Sequence, residues 1–217
     1  MRRLFSRQVY VDDFRRRRDG DDTQAIADAF ATGRDVHFSP NTTYVVNSSN
    51  IIKWQAGQNV YGNGATIHAP LGAHFDDDGD GYGRFRNQVL DIDQLNVPVT
   101  SVYTLKDLNF KIDADGINAI GGMSSPEDNT GLLVIRNCHL TGKGSESGLG
   151  GHLPTAMYPP HAGFCLLYYM PVLITECSWK DTGMGAMVYD TKYVKINNNT
   201  SHRCGVSLDR TTWYNVS

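Results

Sequence analysis

The chain has 217 residues, a formal net charge of −3 and a mean hydropathy of −0.38. That length suits one domain with an ample core, or two small ones, and no apolar run approaches the ~18–20 residues of a membrane span. The charge gives no general reason to expect a nucleic-acid partner, and membrane insertion is not expected.

The amino terminus, MRRLFSRQVY, is basic, but no apolar h-region follows, so no signal peptide is expected in this chain. VYVDDF then leads into a run of four arginines, Arg15 to Arg18, read as a solvated connector balanced by Asp12, Asp13, Asp19, Asp21 and Asp22. Asp21 or Asp22 can cap a helix that carries Ala25, Ile26, Ala29 and Phe30 on one face and stops at Gly33. Such a helix suits covering the open end of a stacked core. VHFSPNTTYVV follows as strand, Pro turn and strand, and NVYGNGATI as a third short strand with glycine turns. In FDDDGDGYGRF, Asp76, Asp78 and Asp80 with Gly81 match the start of an oxygen-ligand calcium loop. Asn87 stands where that loop places its bidentate Glu, so the readings are a structural Ca²⁺ or a solvated acidic loop, and no cofactor is required.

From about residue 100 the chain repeats. LKDLNF, IRNCHL, ITECSW and INNNTS begin at Leu105, Ile135, Ile174 and Ile196, at steps of 30, 39 and 22 residues. The longer steps read as one turn plus inserted loops over Ile117–Thr130 and Gly142–His161. Aligning the glycines of GFCLLYYMPVLIT, GAMVYDTKYVKIN and GVSLDRTTWYNVS (Gly163, Gly185, Gly205) puts Leu166, Val188 and Leu208 in one column. Short alternating runs at a period near 20 are the mark of a solenoid. The expected fold is all-β, a single-stranded parallel β-helix of about seven or eight turns with an amino-terminal capping helix. Residues 1–35 form the arm and cap, and residues 36–217 the β-helix. Because the last turn stops at Val216–Ser217, the β-helix is expected to continue beyond this chain. Four cysteines without CxxC spacing read as buried free thiols.

The same glycine alignment sets Tyr168, Asp190 and Arg210 at one position of three successive turns, and Leu167, Tyr189 and Asp209 at the preceding one. Asp190 and Asp209 are then candidates for a carboxylate pair acting on a glycosidic bond. Arg210 would bind an acidic sugar or stabilise an enolate-like charge, and Glu176 follows on a nearby turn. Tyr168, Tyr189, Trp213 and Lys192 are the candidate sugar-binding residues. The plain alternative is a set of solvated turns.

The amino-terminal residues resemble the pectate lyase-like superfamily, in particular the phage tailspike branch. Asp13-Phe14, Asp19-Gly20, Asp21-Asp22-Thr23 and Ala25-Ile26 carry the likeness, with Phe38, Pro40, Thr43-Tyr44 and the run Gly62, Gly64, Thr66, Ile67. The match spans residues 9 to 67. It departs at Arg15 to Arg18, where glycine is common, in the missing spacer after Asp19-Gly20, and at Thr42 in place of Gly. The resemblance implies a right-handed β-helix and a homotrimer, on a virion tail or otherwise extracellular. It also implies binding and depolymerisation of a bacterial capsule or lipopolysaccharide glycan. A free polysaccharide lyase or hydrolase and a non-catalytic adhesive spike module are the other readings. The matched residues mark the cap and first turns, so no catalytic residue transfers through them.

Overall fold

In the computed structural model the described residues are 8–16, 20–48, 51–55, 57–70, 87–92, 100–114, 117–123, 129–143 and 163–211. Strand β1 (Gln8–Tyr10) passes through a 3-10 turn (Val11–Phe14) to helix α1 (Thr23–Ala31). The chain then winds. The first turn holds β2 (Asp35–His37), β3 (Thr43–Val45) and β4 (Ile52–Lys53); the second holds β5 (Val60–Tyr61), β6 (Thr66–Ala69) and β7 (Gln88–Asp91). The third holds β8 (Val102–Lys106), β9 (Asn109–Ile112) and β10 (Asn118–Met123); the fourth, β11 (Leu132–Arg136), β12 (His139–Gly142) and β13 (Gly163–Tyr168). The fifth holds β14 (Val172–Thr175) and β15 (Ser178–Tyr189), and the sixth β16 (Val194–Asn197) and β17 (Thr200–Thr211).

Strands of successive turns pair in parallel. One sheet of seven strands runs β1-β2-β5-β8-β11-β14-β16, and a second runs β3-β6-β9-β12-β15-β13-β10-β7-β4 with β17 on β15. This is a parallel β-helix. The twelve-residue β15 pairs with β12 through its first part and with β13 through its second, and so joins two faces that lower turns keep apart. At those lower turns the chain leaves the sheet between the two faces, at one seam. Ala69, Ile112 and Gly142 mark the exits in mutual register, and Gln88, Asn118 and Gly163 the returns.

Alternation places the core. Leu105, Ile135, Ile174 and Ile196 lie in one register column of the first sheet, as their spacing predicts. Tyr44, Ile67, Phe110, Leu140 and Trp179 form a second column, all buried. The corner between the sheets is tight because one residue per turn adopts a left-handed conformation: Asn63, Asp107, Asn137, Glu176 and Asn198, with φ of 53°, 57°, 50°, 58° and 55°. Asn and Asp suit that conformation, and the Asn137 amide donates to the Asp107 carboxylate at 2.8 Å. Just past the corner Cys138 and Cys177 are buried, and with Cys165 and the half-buried Cys204 they are free thiols. Burial raises the Cys138 and Cys165 pKa values.

Helix α1 closes the first turn with Ala25, Ile26, Ala29 and Phe30 buried, and Gly33 ends it at φ 66°. Of the two aspartates, only the Asp21 side chain bonds an N–H of the helix's first turn. Asp21 Oδ1 accepts the Thr23 N–H at 2.8 Å, while Asp22 accepts from Val45 N at 2.8 Å and from Arg15 Nε at 2.6 Å.

Arg15 is exposed and is balanced by Asp12 at 3.0 Å and by Asp22, as expected, and lies 4.7 Å over the Tyr44 ring. Two sequence expectations are corrected. The inserted loop expected over Ile117–Thr130 begins with strand β10, whose Ile120 pairs with Leu90 and Cys165 and is buried. The glycine alignment slips: Gly163 pairs with Met184, and Met184 with Val206. Leu166 therefore faces Met187, Val188 faces Leu167, and Leu208 faces Ala186. The slip arises because residues 169–171 join β13 to β14, whereas residues 190–193, one more, join β15 to β16.

Candidate functional site

Residues that flank the core column of the second sheet must point outward, because successive side chains of a strand alternate. Two outward columns result. One contains Thr43, Thr66, Asn109, His139, Ser178 and Thr200; the other contains Val45, His68, Lys111, Thr141, Lys180 and His202. Hydroxyl, amide, imidazole and ammonium groups thus recur along the axis at about 4.8 Å per turn. His139 Nδ1 and Ser178 Oγ are 2.8 Å apart across neighbouring strands.

Carboxylates edge this face where it meets the seam. Asp113 lies 2.8 Å from His68 Nε2 and 3.5 Å from Lys111 Nζ. Asp181 is held by Arg203, whose NH2 donates at 2.6 Å, and lies 3.9 Å from Lys180 Nζ. The hydrogen bond from Arg203, with the charges of Arg203, Lys180 and His202, keeps Asp181 below the usual carboxylate range. Asp181 and Arg203 both have positive φ, 56° and 51°. They let β15 and β17 turn the seam corner without an excursion.

Beyond the seam the outward surface changes character. Leu166 and Met187 form an apolar cluster apart from the main core, flanked by Tyr168 and Tyr189. The two tyrosine rings stack at 5.1 Å and 19°, so these sugar-binding candidates are brought together. Lys192 is exposed on the corner after β15, and Asp190 opens that corner, exposed, with φ 50°. Asp190 follows Tyr189, which pairs with Tyr168, so Tyr168, Asp190 and Arg210 do not share a position. Arg210 pairs in register with Val188, and Asp209 with Met187. Asp190 is thus three residues past the partner of Asp209, about 10 Å along the strand direction. Side chains from residue 205 onward, Trp213 included, lie outside the described residues, as do Asp76, Asp78 and Asp80. Glu176 sits at a different corner, where Arg136 binds it in a fork at 2.8 and 3.1 Å.

The outward residues His68, Lys111, Thr141, Lys180 and His202 were not among the candidates, yet most carry a signal. Lys111, Thr141, Lys180 and His202 each stand six residues after Leu105, Ile135, Ile174 and Ile196, the column that the repeat reveals.

The outer face of the first sheet differs again. His37 stacks on Tyr61 at 4.5 Å, Tyr10 lies tilted against His37 at 5.4 Å, and Lys106 Nζ lies 5.2 Å from the Tyr61 ring. Farther along, Val102 and Tyr193 are exposed, with Leu132, Val134 and Leu173 half-buried around them. Among the described residues no helix is long and apolar enough to cross a membrane, and no group of three or more His, Cys, Asp or Glu is placed to hold a metal.

No protein-family model matches the chain, and no curated protein does. Among solved structures it is similar to tailspike protein 3 of bacteriophage CBA120, at 13% identity and a TM-score of 0.46 over 96% of this chain. The chain spans about a third of that tailspike, 34%. It is also similar to PfbA, a surface adhesin of Streptococcus pneumoniae, at 11% identity and a TM-score of 0.27, covering 94% of this chain and 80% of that one.

Proposed function

We propose that this chain is the β-helix part of a tailspike-like protein that binds and depolymerises a bacterial surface polysaccharide. The observation that carries the reading is the outer face of the second sheet. Its polar groups repeat once per turn in straight columns, which suits a linear polymer with repeating hydroxyls lying along the axis. The amino-terminal resemblance over residues 9 to 67 supports the same reading, and with it a place on a virion tail or in the extracellular space.

Affinity electrophoresis through gels containing purified capsule and O-antigen tests the binding. The protein is expected to be retarded by at least one glycan of a wide panel, and passage through all of them unretarded refutes the reading. Size-exclusion chromatography of the retarding glycan, before and after incubation, tests cleavage. Shortening that survives intact in both Asp190→Ala and Asp209→Ala removes those two carboxylates from the reaction. Retardation without shortening leaves an adhesive module instead.

The reading includes a homotrimer. The outward apolar side chains of Val102, Leu132, Val134 and Leu173 lie on neighbouring strands, with exposed Tyr193 just before β16, and an apolar patch of that kind suits burial against another copy. Light scattering behind a sizing column is expected to give three times the chain mass, and a monomer at every concentration refutes it.

A further inference from the structure

The second-sheet face has a charge pattern that the overall charge hides. Among the described residues its cations are Lys111, Lys143, Lys180 and Arg203, and its carboxylates are Asp113 and Asp181, so cations outnumber carboxylates on a chain whose net charge is −3. The Lys111 and Lys180 side chains are each 53% exposed. Each touches its carboxylate only at 3.5 and 3.9 Å, outside good hydrogen-bond distance, so the ammonium groups keep donors for a ligand. Between them in the same column stands Thr141, exposed and uncharged. Within that column the two ammonium groups therefore stand two turns apart, about 10 Å, with a neutral donor on the turn between.

We propose that the polymer taken by this face is an acidic glycan with a carboxylate or phosphate on alternate sugars, its charged sugars against Lys111 and Lys180 and the neutral sugar against Thr141. This inference rests on the polysaccharide reading above and narrows it. His68 and His202, next to Lys111 and Lys180 on either side of the column, extend the row of polar groups. A uniformly charged polymer is disfavoured, because in this column its intermediate charge would meet the Thr141 hydroxyl rather than an ammonium. Exposed pairs of this kind act mainly through long-range attraction, so binding must weaken with salt.

The test uses the full chain and defined probes: hyaluronan, with a carboxylate on every second sugar; polygalacturonate, with one on every sugar; neutral dextran; and duplex DNA. Immobilised wild-type protein is expected to bind hyaluronan, to bind polygalacturonate no more tightly despite its greater charge, and not to bind dextran. The double substitution Lys111→Gln with Lys180→Gln is expected to weaken hyaluronan binding at least ten-fold and flatten its salt dependence. Arg16→Gln, which removes one positive charge beside α1, leaves binding unchanged. Unaltered circular dichroism confirms that the double variant is folded. Dextran bound as tightly as hyaluronan, or hyaluronan binding unchanged in the double variant, overturns the charge assignment while the polysaccharide reading stands. Polygalacturonate bound ten-fold more tightly overturns the spacing, and DNA bound more tightly than hyaluronan overturns the glycan class. If none of the four binds, the inference fails, and retardation by capsule or O-antigen decides the broader reading separately.

Discussion

Gly62→Ala probes how closely successive turns approach at the tight corner. A Cβ at Gly62 would lie 2.3 Å from the Asp107 carbonyl oxygen, 2.5 Å from Leu108 Cα and 2.6 Å from Leu108 Cβ. The first two are backbone atoms of the next turn, so no side-chain rotation relieves the overlap. The turns must part by roughly 1 Å to restore ordinary contact. That stretches the bonds from Gly62 N to Lys106 O and from Gly64 N to Asp107 O, now 2.8 and 2.7 Å. Overpacking costs about 1–3 kcal/mol, and two weakened hydrogen bonds add about 1 kcal/mol each. The loss should be about 3–5 kcal/mol, a large share of the ~5–15 kcal/mol by which domains are stable. Urea unfolding followed by far-ultraviolet circular dichroism measures it as a lower midpoint. Gly20→Ala is the control, since nothing lies within 4 Å of its added Cβ, and it should stay within about 0.5 kcal/mol of wild type. If Gly62→Ala matches that control, the turns do not meet at this corner as described.

Tyr103 is fully buried, and its hydroxyl has no hydrogen-bond partner among the described residues. Tyr103→Phe keeps the edge-on contact with Trp54 at 5.4 Å and should raise stability by about 1 kcal/mol, and a lower midpoint would show that the hydroxyl is satisfied in solution. Burial alone would raise the Asp12 pKa, but hydrogen bonds from Ser39, Tyr44 and Arg15 outweigh it and hold the carboxyl below its usual value. Its stabilising contribution is therefore complete above the unfolded value of about 3.9 and fades as pH falls through the lower folded value. Asp12→Asn should melt lower at neutral pH and show a flatter decline in Tm below roughly pH 4; parallel curves for the two proteins would refute the linkage.

The repeat was legible wherever the chain cannot change length. Leu105, Ile135, Ile174 and Ile196 each precede a two-residue corner built on one left-handed residue, so their spacing to the next strand is fixed. The column is thus plain in the sequence despite steps of 30, 39 and 22. The glycine columns misled for the opposite reason. Between β13 and β14 and between β15 and β16 the corner varies by a residue, and a one-residue slip turns a strand's faces over. It moved Asp190 out of line with Tyr168 while leaving Tyr189 stacked on it. The β10 segment reads as loop in the sequence because NAIGGM is rich in small residues. The close approach of its glycines is the reason: a Cβ at Gly122 would lie 2.4 Å from the Ile92 carbonyl oxygen. Lys111 carries no signal of its own in the sequence, because a charged residue on a strand's outward side is ordinary until several line up in space.

The seam gives the molecule interchangeable parts. Chain leaving at Ala69 or Gly142 returns at Gln88 or Gly163 in unbroken register with its neighbours, while β15 crosses the same place with no detour at all. The stack is therefore indifferent to what is spliced in there, from nothing to some twenty residues. Exchanging those cassettes between relatives offers a way to redirect what the neighbouring face grips without re-engineering the spine beneath it.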